Sequence, residues 1–138
     1  MKWILLLAAL IPSTPAKPPI QTAGCALLTN PAKFDRKVVE FVAYRVPALE
    51  TIDYAPFGCS GNIGISEPLI RHDHRLPLEG AHRSRAGFMV PASRITGRVR
   101  FERALARQRF KAMTFVFIDD AIIEPAGYRP FEAVAKRR

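Results

Sequence analysis

The sequence predicts a mainly β domain, either a small OB-like barrel or a β-sandwich, with one or two short helices. Three observations lead to this fold class. Stretches rich in β-branched and aromatic residues, punctuated by Pro and Gly, give about five or six short strands. Segments that favour helix are few and short. The 138 residues suffice for one domain with one hydrophobic core.

The first strand is the clearest element. Lys37–Val46 has the sequence KVVEFVAYRV and is apolar on both faces, which is typical of a central strand. Leu49–Tyr54 alternates and predicts the next strand, and the Gly-rich stretch FGCSGNIGI leads from a turn into a third. Later strands are predicted at 88–90, 94–101 and 111–123, with Gly97 at a bulge, and short helices at 25–33 and 102–109.

Composition sets the expected domain boundaries. Residues 17–24 contain KPPIQT and form a Pro-rich spacer, which we expect to be disordered. Ser66–Gly87 is polar, charged and without a sustained period, so a long loop is predicted at 66–87. Residues 25–138 then form a single β-barrel domain that includes this loop.

The N-terminus has the layout of a secretory signal peptide. Lys2 precedes an unbroken apolar run, Trp3–Ile11, and Pro12 and small residues follow. The run is shorter than the roughly 20 residues that cross a bilayer. We therefore predict a signal peptide at 1–16, and a secreted or periplasmic mature chain with no transmembrane segment. The best later candidate, AMTFVFIDDAII, is interrupted by two acidic residues.

The two cysteines support export. Cys25 and Cys59 both lie after the predicted signal peptide, and an even pair in an oxidising compartment predicts one disulfide. A second interpretation is a lipoprotein anchored at Cys25, because Thr22-Ala23-Gly24 before it is similar to a weak lipoprotein cleavage site. That alternative leaves Cys59 unpaired, and the apolar run ends far upstream of the site.

The segment CALLTNPAKFDRKVVEFVA resembles a signature of small, uncharacterised exported bacterial proteins with an OB-like barrel. The matching residues are Cys25, Leu28, Asn30, Pro31, Phe34, Asp35, Lys37, Val39, Phe41 and Cys59. Arg36 replaces a turn Gly of that pattern, and Ala43 replaces the Gly that closes its strand. The resemblance covers about Cys25–Glu124. It implies a barrel with a short leading helix and an exported location, without an established activity.

All three histidines fall in RHDHRLPLEGAH, from Arg71 to His82. His72 and His74 would share one side of a strand, and His82 could complete a three-nitrogen zinc site. Glu79 or Asp73 could support or replace a ligand. However, the segment has no strand pattern, and the surrounding positive charge opposes a divalent cation. An exposed cationic loop is the preferred interpretation.

Positive charge is concentrated in the second half of the chain. Of the 21 basic residues 15 are Arg, and ten of these lie between Arg71 and Arg109. This excess predicts a surface for an anionic ligand. The candidate residues are Arg71, Arg75, Arg83, Arg85, Arg94, Arg98 and Arg100. Phenylalanines interleave with them, as in single-strand nucleic-acid sites, but export makes nucleic acid an unsuitable partner. An anionic envelope polymer or lipid head groups fit better.

The sequence contains no complete catalytic motif among those considered. GCSGNIG is no nucleophile elbow, because Asn62 takes the place of the final Gly, and it lacks the Gly-Lys-Ser/Thr ending of a P-loop. Asp119 and Asp120 are adjacent and would face opposite ways on a strand. We assign no catalytic residue. The leading hypothesis is an exported, non-catalytic binding or envelope-associated module, and the alternative is a zinc protein or metallohydrolase using the three histidines.

Overall fold

A computed structural model describes residues 17–47, 52–66, 70–71, 80–107 and 114–131, so the predicted signal peptide at 1–16 lies outside the described residues. Within them the protein is mainly β, as predicted. One mixed sheet has a main path of seven strands, and an eighth pairs beside it. The strands are β1 (Ile20–Gln21), β2 (Val38–Val46), β3 (Ile52–Pro56), β4 (Ile63–Ile65), β5 (Ile70–Arg71), β6 (His82–Ser84), β7 (Gly87–Phe101) and β8 (Val116–Pro130), and the helices are α1 (Gly24–Thr29), α2 (Pro31–Phe34) and α3 (Arg103–Ala106).

Strand β2 is central, as its apolar faces predict. Its first part pairs antiparallel with β7, from Val38↔Arg98 to Ala43↔Ser93, and its last part pairs antiparallel with β3. The short β1 adds a parallel partner along the start of β2. Because side chains alternate along a strand, Val39, Phe41 and Ala43 all point into the core and are almost fully buried.

The remaining pairings connect the other strands. β3 pairs antiparallel with β4, β4 runs parallel to β8, and β8 pairs antiparallel with β7 along most of its length. β7 pairs in turn with β2. The pairing of β7 with β8 forms a long two-stranded ribbon, and the far end of this ribbon carries β6 on the β7 side.

The core lies between these strands and the first two helices. Ile63, Ile95 and Ile118 contribute fully buried side chains from three different strands. Leu27 of α1 is 0% exposed and Phe34 of α2 is 7% exposed, so both helices cover the core through one large apolar residue. The helices therefore complete the core rather than standing apart from it.

Gly97 lies at an irregularity of β7, as predicted. The register with β8 shifts between Thr96 and Arg98. A Cβ atom at this position would lie 2.9 Å from the carbonyl oxygen of Asp119 and closer still to Ile118. The close approach of the two strands therefore requires a residue without a side chain.

The turn before β2 holds Arg36 in a conformation that favours Gly. Arg36 has φ of +64°, a left-handed conformation that Gly adopts at no steric cost. Its N–H donates to the carbonyl of Val99 at 2.7 Å, and Asp35 Oδ1 accepts from the N–H of Phe101 at 3.0 Å. The turn is thus held by β7, which favours one backbone geometry whichever residue occupies position 36.

Three predictions about irregular segments are corrected. Ile20 and Gln21 of the predicted disordered spacer form β1, because they pair with Val39 and Glu40. The predicted loop at 66–87 contains two short strands, β5 and β6. The separate strands predicted at 88–90 and 94–101 are one strand, β7, which continues through Pro91. The register shift between Pro91 and Ser93 accommodates a residue that has no N–H to donate.

Candidate functional site

The predicted disulfide is present. Cys25 of α1 bonds to Cys59 in the turn between β3 and β4, across 34 positions of sequence and a Cα–Cα distance of 5.9 Å. These are the two cysteines of the chain, so no thiol is left as a nucleophile or metal ligand. The bond attaches the helix that carries Leu27 to the neighbouring sheet.

Two candidate arginines of β7 face carboxylates. Arg94 lies 3.5 Å from Glu40 on β2 and 3.9 Å from Glu124 on β8, measured between nitrogen and oxygen. Arg98 lies 3.8 Å from Asp120, and both of these side chains are more than half exposed. Exposed pairs of this kind contribute little stability, but each acid compensates the charge of its arginine.

Among the candidate arginines whose side chains the structure describes, Arg100 has the most partners. Its Nε donates to both carboxylate oxygens of Asp119, its Nη2 donates to Ser66 Oγ at 2.7 Å, and its Nη1 pairs with Glu102. The guanidinium also lies 4.8 Å from the centre of the Phe117 ring. The hydrogen bond to Asp119 is the main cause that raises the pKa of Arg100. Arg100 therefore joins β7, β8 and the end of β4.

The other end of the ribbon has a different charge pattern. We call residues 80–89 and 126–131 the ribbon tip, where β6, the start of β7 and the end of β8 meet. The ribbon tip contains Arg83, Arg85 and Arg129 and no acidic residue. Every residue from His82 to Phe88 is exposed. Within the described residues, no carboxylate pairs with any of these three arginines.

Aromatic rings accompany these cations. A chain of rings runs from Phe57 through Tyr44 and Phe131 to Phe88, with centroid distances of 5.1, 5.4 and 6.4 Å. Phe88 and Tyr128 are 40% and 45% exposed. The guanidinium of Arg129 lies 5.8 Å from the centre of the Phe57 ring. Aromatic and positively charged side chains thus share one end of the molecule.

A cavity of about 410 Å³ adjoins this aromatic chain. It lies between the segment that enters α1 and the outer face of β2 and its neighbours. Its walls carry two cations and one acid. The lining residues are Gln21, Thr22, Ala23, Gly24, Glu40, Phe41, Val42, Phe57, Arg94 and Arg129. We call this the Arg129 cavity.

The histidine cluster is described only in part. His72, His74 and the nearby Asp73, Arg75 and Glu79 lie outside the described residues, and Arg71 ends β5. His82 lies in β6, where Nδ1 is 3.0 Å from the carbonyl oxygen of Gly80 and the ring packs 5.2 Å from Tyr128. Among the residues that the structure describes, no three metal-binding side chains come together. The zinc site stays a prediction.

Several residues of this end were not singled out by the sequence. Tyr44, Phe57 and Phe131 come from three separate segments, and Arg129 lies outside the Arg-rich stretch. One sequence signal bears on the arginines: the acids at 119, 120 and 124 lie within one strand, so arginines opposite that strand can be compensated. The antiparallel register decides which arginines those are.

Comparison with protein-family models, with curated proteins and with solved structures gives no match for this chain. The class of protein is therefore defined by its own features. It is a mainly β protein with one disulfide and with a ribbon tip that, over residues 80–89 and 126–131, combines arginines and aromatic residues without an acidic one. Within its described part no helix is long and apolar enough to cross a membrane.

Proposed function

We propose that this protein is an exported, non-catalytic binding module whose ribbon tip binds anionic groups of the cell envelope, either of a polymer or of lipid head groups. One observation carries the proposal. The arginines 94, 98 and 100 face carboxylates, whereas Arg83, Arg85 and Arg129 have no carboxylate partner among the described residues. Within the described residues, the tip therefore offers three arginines whose positive charge is available to a ligand.

The proposed barrel is OB-like, in agreement with the family resemblance. Support comes from the order of strand pairing, β2-β3-β4-β8-β7, which returns to β2 through the β2–β7 register. A sheet whose last strand pairs with its first favours a barrel over two separate sheets. The parallel pairing of β4 with β8 among otherwise antiparallel neighbours is consistent with that topology.

Export is supported by the Trp3–Ile11 run and by the disulfide, because such bonds persist mainly outside the cytosol. The bond also favours a cleaved secretory signal over a lipid anchor, since a thioether at Cys25 would use the sulfur that pairs with Cys59. The mass of the mature protein from its own host, with and without reduction, tests both points. An intact N-terminus or two free thiols would contradict export.

The chemistry of the tip suits anionic ligands with an apolar or sugar component. Arginine binds phosphate and carboxylate through paired N–H donors. Exposed aromatic side chains contribute contact area beside a polar rim. Because the contact is largely electrostatic and exposed, salt should weaken it.

The experiment compares binding to two probes: vesicles of phosphatidylglycerol and phosphatidylcholine, and a soluble acidic polysaccharide. The double variant R83Q/R85Q should bind the preferred probe about tenfold or more weakly, because each cation near an anionic surface contributes about 1 kcal/mol. The matched control R98Q removes one arginine that already faces Asp120 and should change binding little. Equal losses in both variants, or no salt-sensitive binding to either probe, would overturn the proposal.

A further inference from the structure

We infer that the Arg129 cavity receives one acidic sugar unit, so that the anionic partner of this protein is an acidic polysaccharide. The inference deepens the proposed function and rests on it for the polymer, but binding of a single sugar to the cavity can be measured independently.

The size and the walls of the cavity suit a small ligand. Its volume of about 410 Å³ lies within the range of roughly 300–1,000 Å³ that is typical of ligand pockets. Most of the exposed wall is polar and includes Glu40 and two arginines, while Val42 and Phe57 contribute a smaller apolar part. A few charged groups at fixed positions in a pocket can orient a ligand and distinguish it from similar molecules.

The two arginines of the cavity are not equivalent. Arg94 lies between Glu40 and Glu124, at 3.5 and 3.9 Å, so its charge is compensated. Arg129 lies over the Phe57 ring at 5.8 Å, and among the described residues it has no carboxylate partner. An incoming carboxylate would therefore pair with Arg129.

Glu40 favours a ligand that carries hydrogen-bond donors beside its carboxylate. Its half-buried carboxylate accepts one long contact from Arg94 and retains lone pairs for other donors. Sugar hydroxyls can donate to it, whereas a phosphate diester can donate only if it carries a hydroxyl or ammonium group elsewhere. A negative group on the wall also disfavours a ligand that carries more than one negative charge. A sugar with one carboxylate and several hydroxyls satisfies both conditions.

Aromatic rings connect the cavity with the ribbon tip. Phe57 lines the cavity, and the chain of rings continues from it through Tyr44 and Phe131 to the exposed Phe88. The apolar face of a sugar ring can pack against an aromatic side chain. A polysaccharide with one unit in the cavity could therefore extend along these rings toward Arg83 and Arg85.

The test follows backbone amide signals by NMR while the oxidised mature protein is titrated with sodium glucuronate. Glucose, which lacks the carboxylate, and inorganic phosphate, which lacks the sugar, are the matched probes. Glucuronate should give saturable shifts at Thr22, Gly24 and Arg129. R129Q and F57L should each weaken this binding about tenfold, and R98Q should leave it unchanged.

The outcomes separate this inference from the proposed function. If glucuronate does not shift these amides while the protein still binds acidic polymer or vesicles, the cavity assignment is wrong and the proposed function stands. If phosphate shifts the same amides as strongly as glucuronate, the ligand is not an acidic sugar. If neither the monomer nor any anionic polymer or vesicle binds, both are wrong.

Discussion

Nε of Arg100 lies 3.0 and 3.3 Å from the two carboxylate oxygens of Asp119, which belongs to the neighbouring strand. The same guanidinium reaches Ser66 after β4 and covers the ring of Phe117. Three segments that are distant in sequence therefore meet at one side chain. Ionic contacts in this half of the ribbon have a structural role, which distinguishes it from the ribbon tip.

We expect Asp119→Asn to lower the free energy of unfolding by about 1 kcal/mol, because the side chains are partly exposed and solvent screens the pair. Urea unfolding measures the change. Asp120→Asn is the control, since its pair with Arg98 is longer and more exposed, and Asn tolerates the φ of +53° at this position. It should change stability by less than about 0.5 kcal/mol. Equal effects of the two variants would contradict a special role for Arg100.

Arg36→Gly should stabilise the protein. A residue with a Cβ pays about 1–2 kcal/mol for the left-handed backbone at φ of +64°, and the extra freedom of Gly in the unfolded chain offsets part of the gain. We expect a net increase of about 0.5–1 kcal/mol in the free energy of unfolding. Arg36→Ala keeps the Cβ while removing the charge, and it should not stabilise. A stabilising Ala variant would mean that the charge, not the backbone, is responsible.

Reduction of the Cys25–Cys59 bond should destabilise the protein by about 3–4 kcal/mol on the chain-entropy model, because it frees a loop that spans 34 positions. The measurement is urea unfolding with and without a reductant. The double variant Cys25→Ala and Cys59→Ala controls for effects of the reductant, and its stability should not respond to reduction. An oxidised wild type no more stable than this variant would argue against a constraining bond.

Stability should fall in alkaline solution because of Tyr44. Burial between Phe57 and Phe131 raises the pKa of its phenol above the ordinary value of about 10. At pH values between the pKa of Tyr44 in the unfolded chain and its higher pKa in the folded protein, the folded protein binds more protons. The free energy of unfolding therefore falls as the pH rises above about 10. Below that pH the phenol is neutral in both states and does not make stability depend on pH. Phenolate absorbance and unfolding as a function of pH measure the effect. Tyr44→Phe should remove this part of the pH dependence.

The sequence was informative where a signal is local. The apolar faces of Lys37–Val46 predicted β2 and its central place, and Gly97 predicted the bulge. The two strands predicted at 88–90 and 94–101 form one strand that continues through Pro91, because the missing N–H falls at an irregular point of the β7–β8 ladder. Strands β5 and β6 have two and three residues, which is too short for any period to be visible.

Only the general character of the candidate site, a basic surface, could be predicted from the sequence. Composition indicated that surface, but it could not distinguish Arg94 from Arg83 as a ligand-binding residue. The difference between them arises from the register that sets Arg94 opposite Glu124, and a register between distant strands is not encoded in local spacing. The cavity likewise combines β1, β2, Phe57 and Arg129, which are separated in the chain.

The pairing of β2 with β7 also bears on how fast this chain can fold. Its partners are 50 to 60 positions apart in sequence, from Ala43↔Ser93 to Val38↔Arg98. Proteins dominated by such distant pairings fold slowly, because a large loop must close before its contacts can form. If the chain is exported, as proposed above, late pairing of β2 with β7 would keep it extended while it passes through a secretion channel.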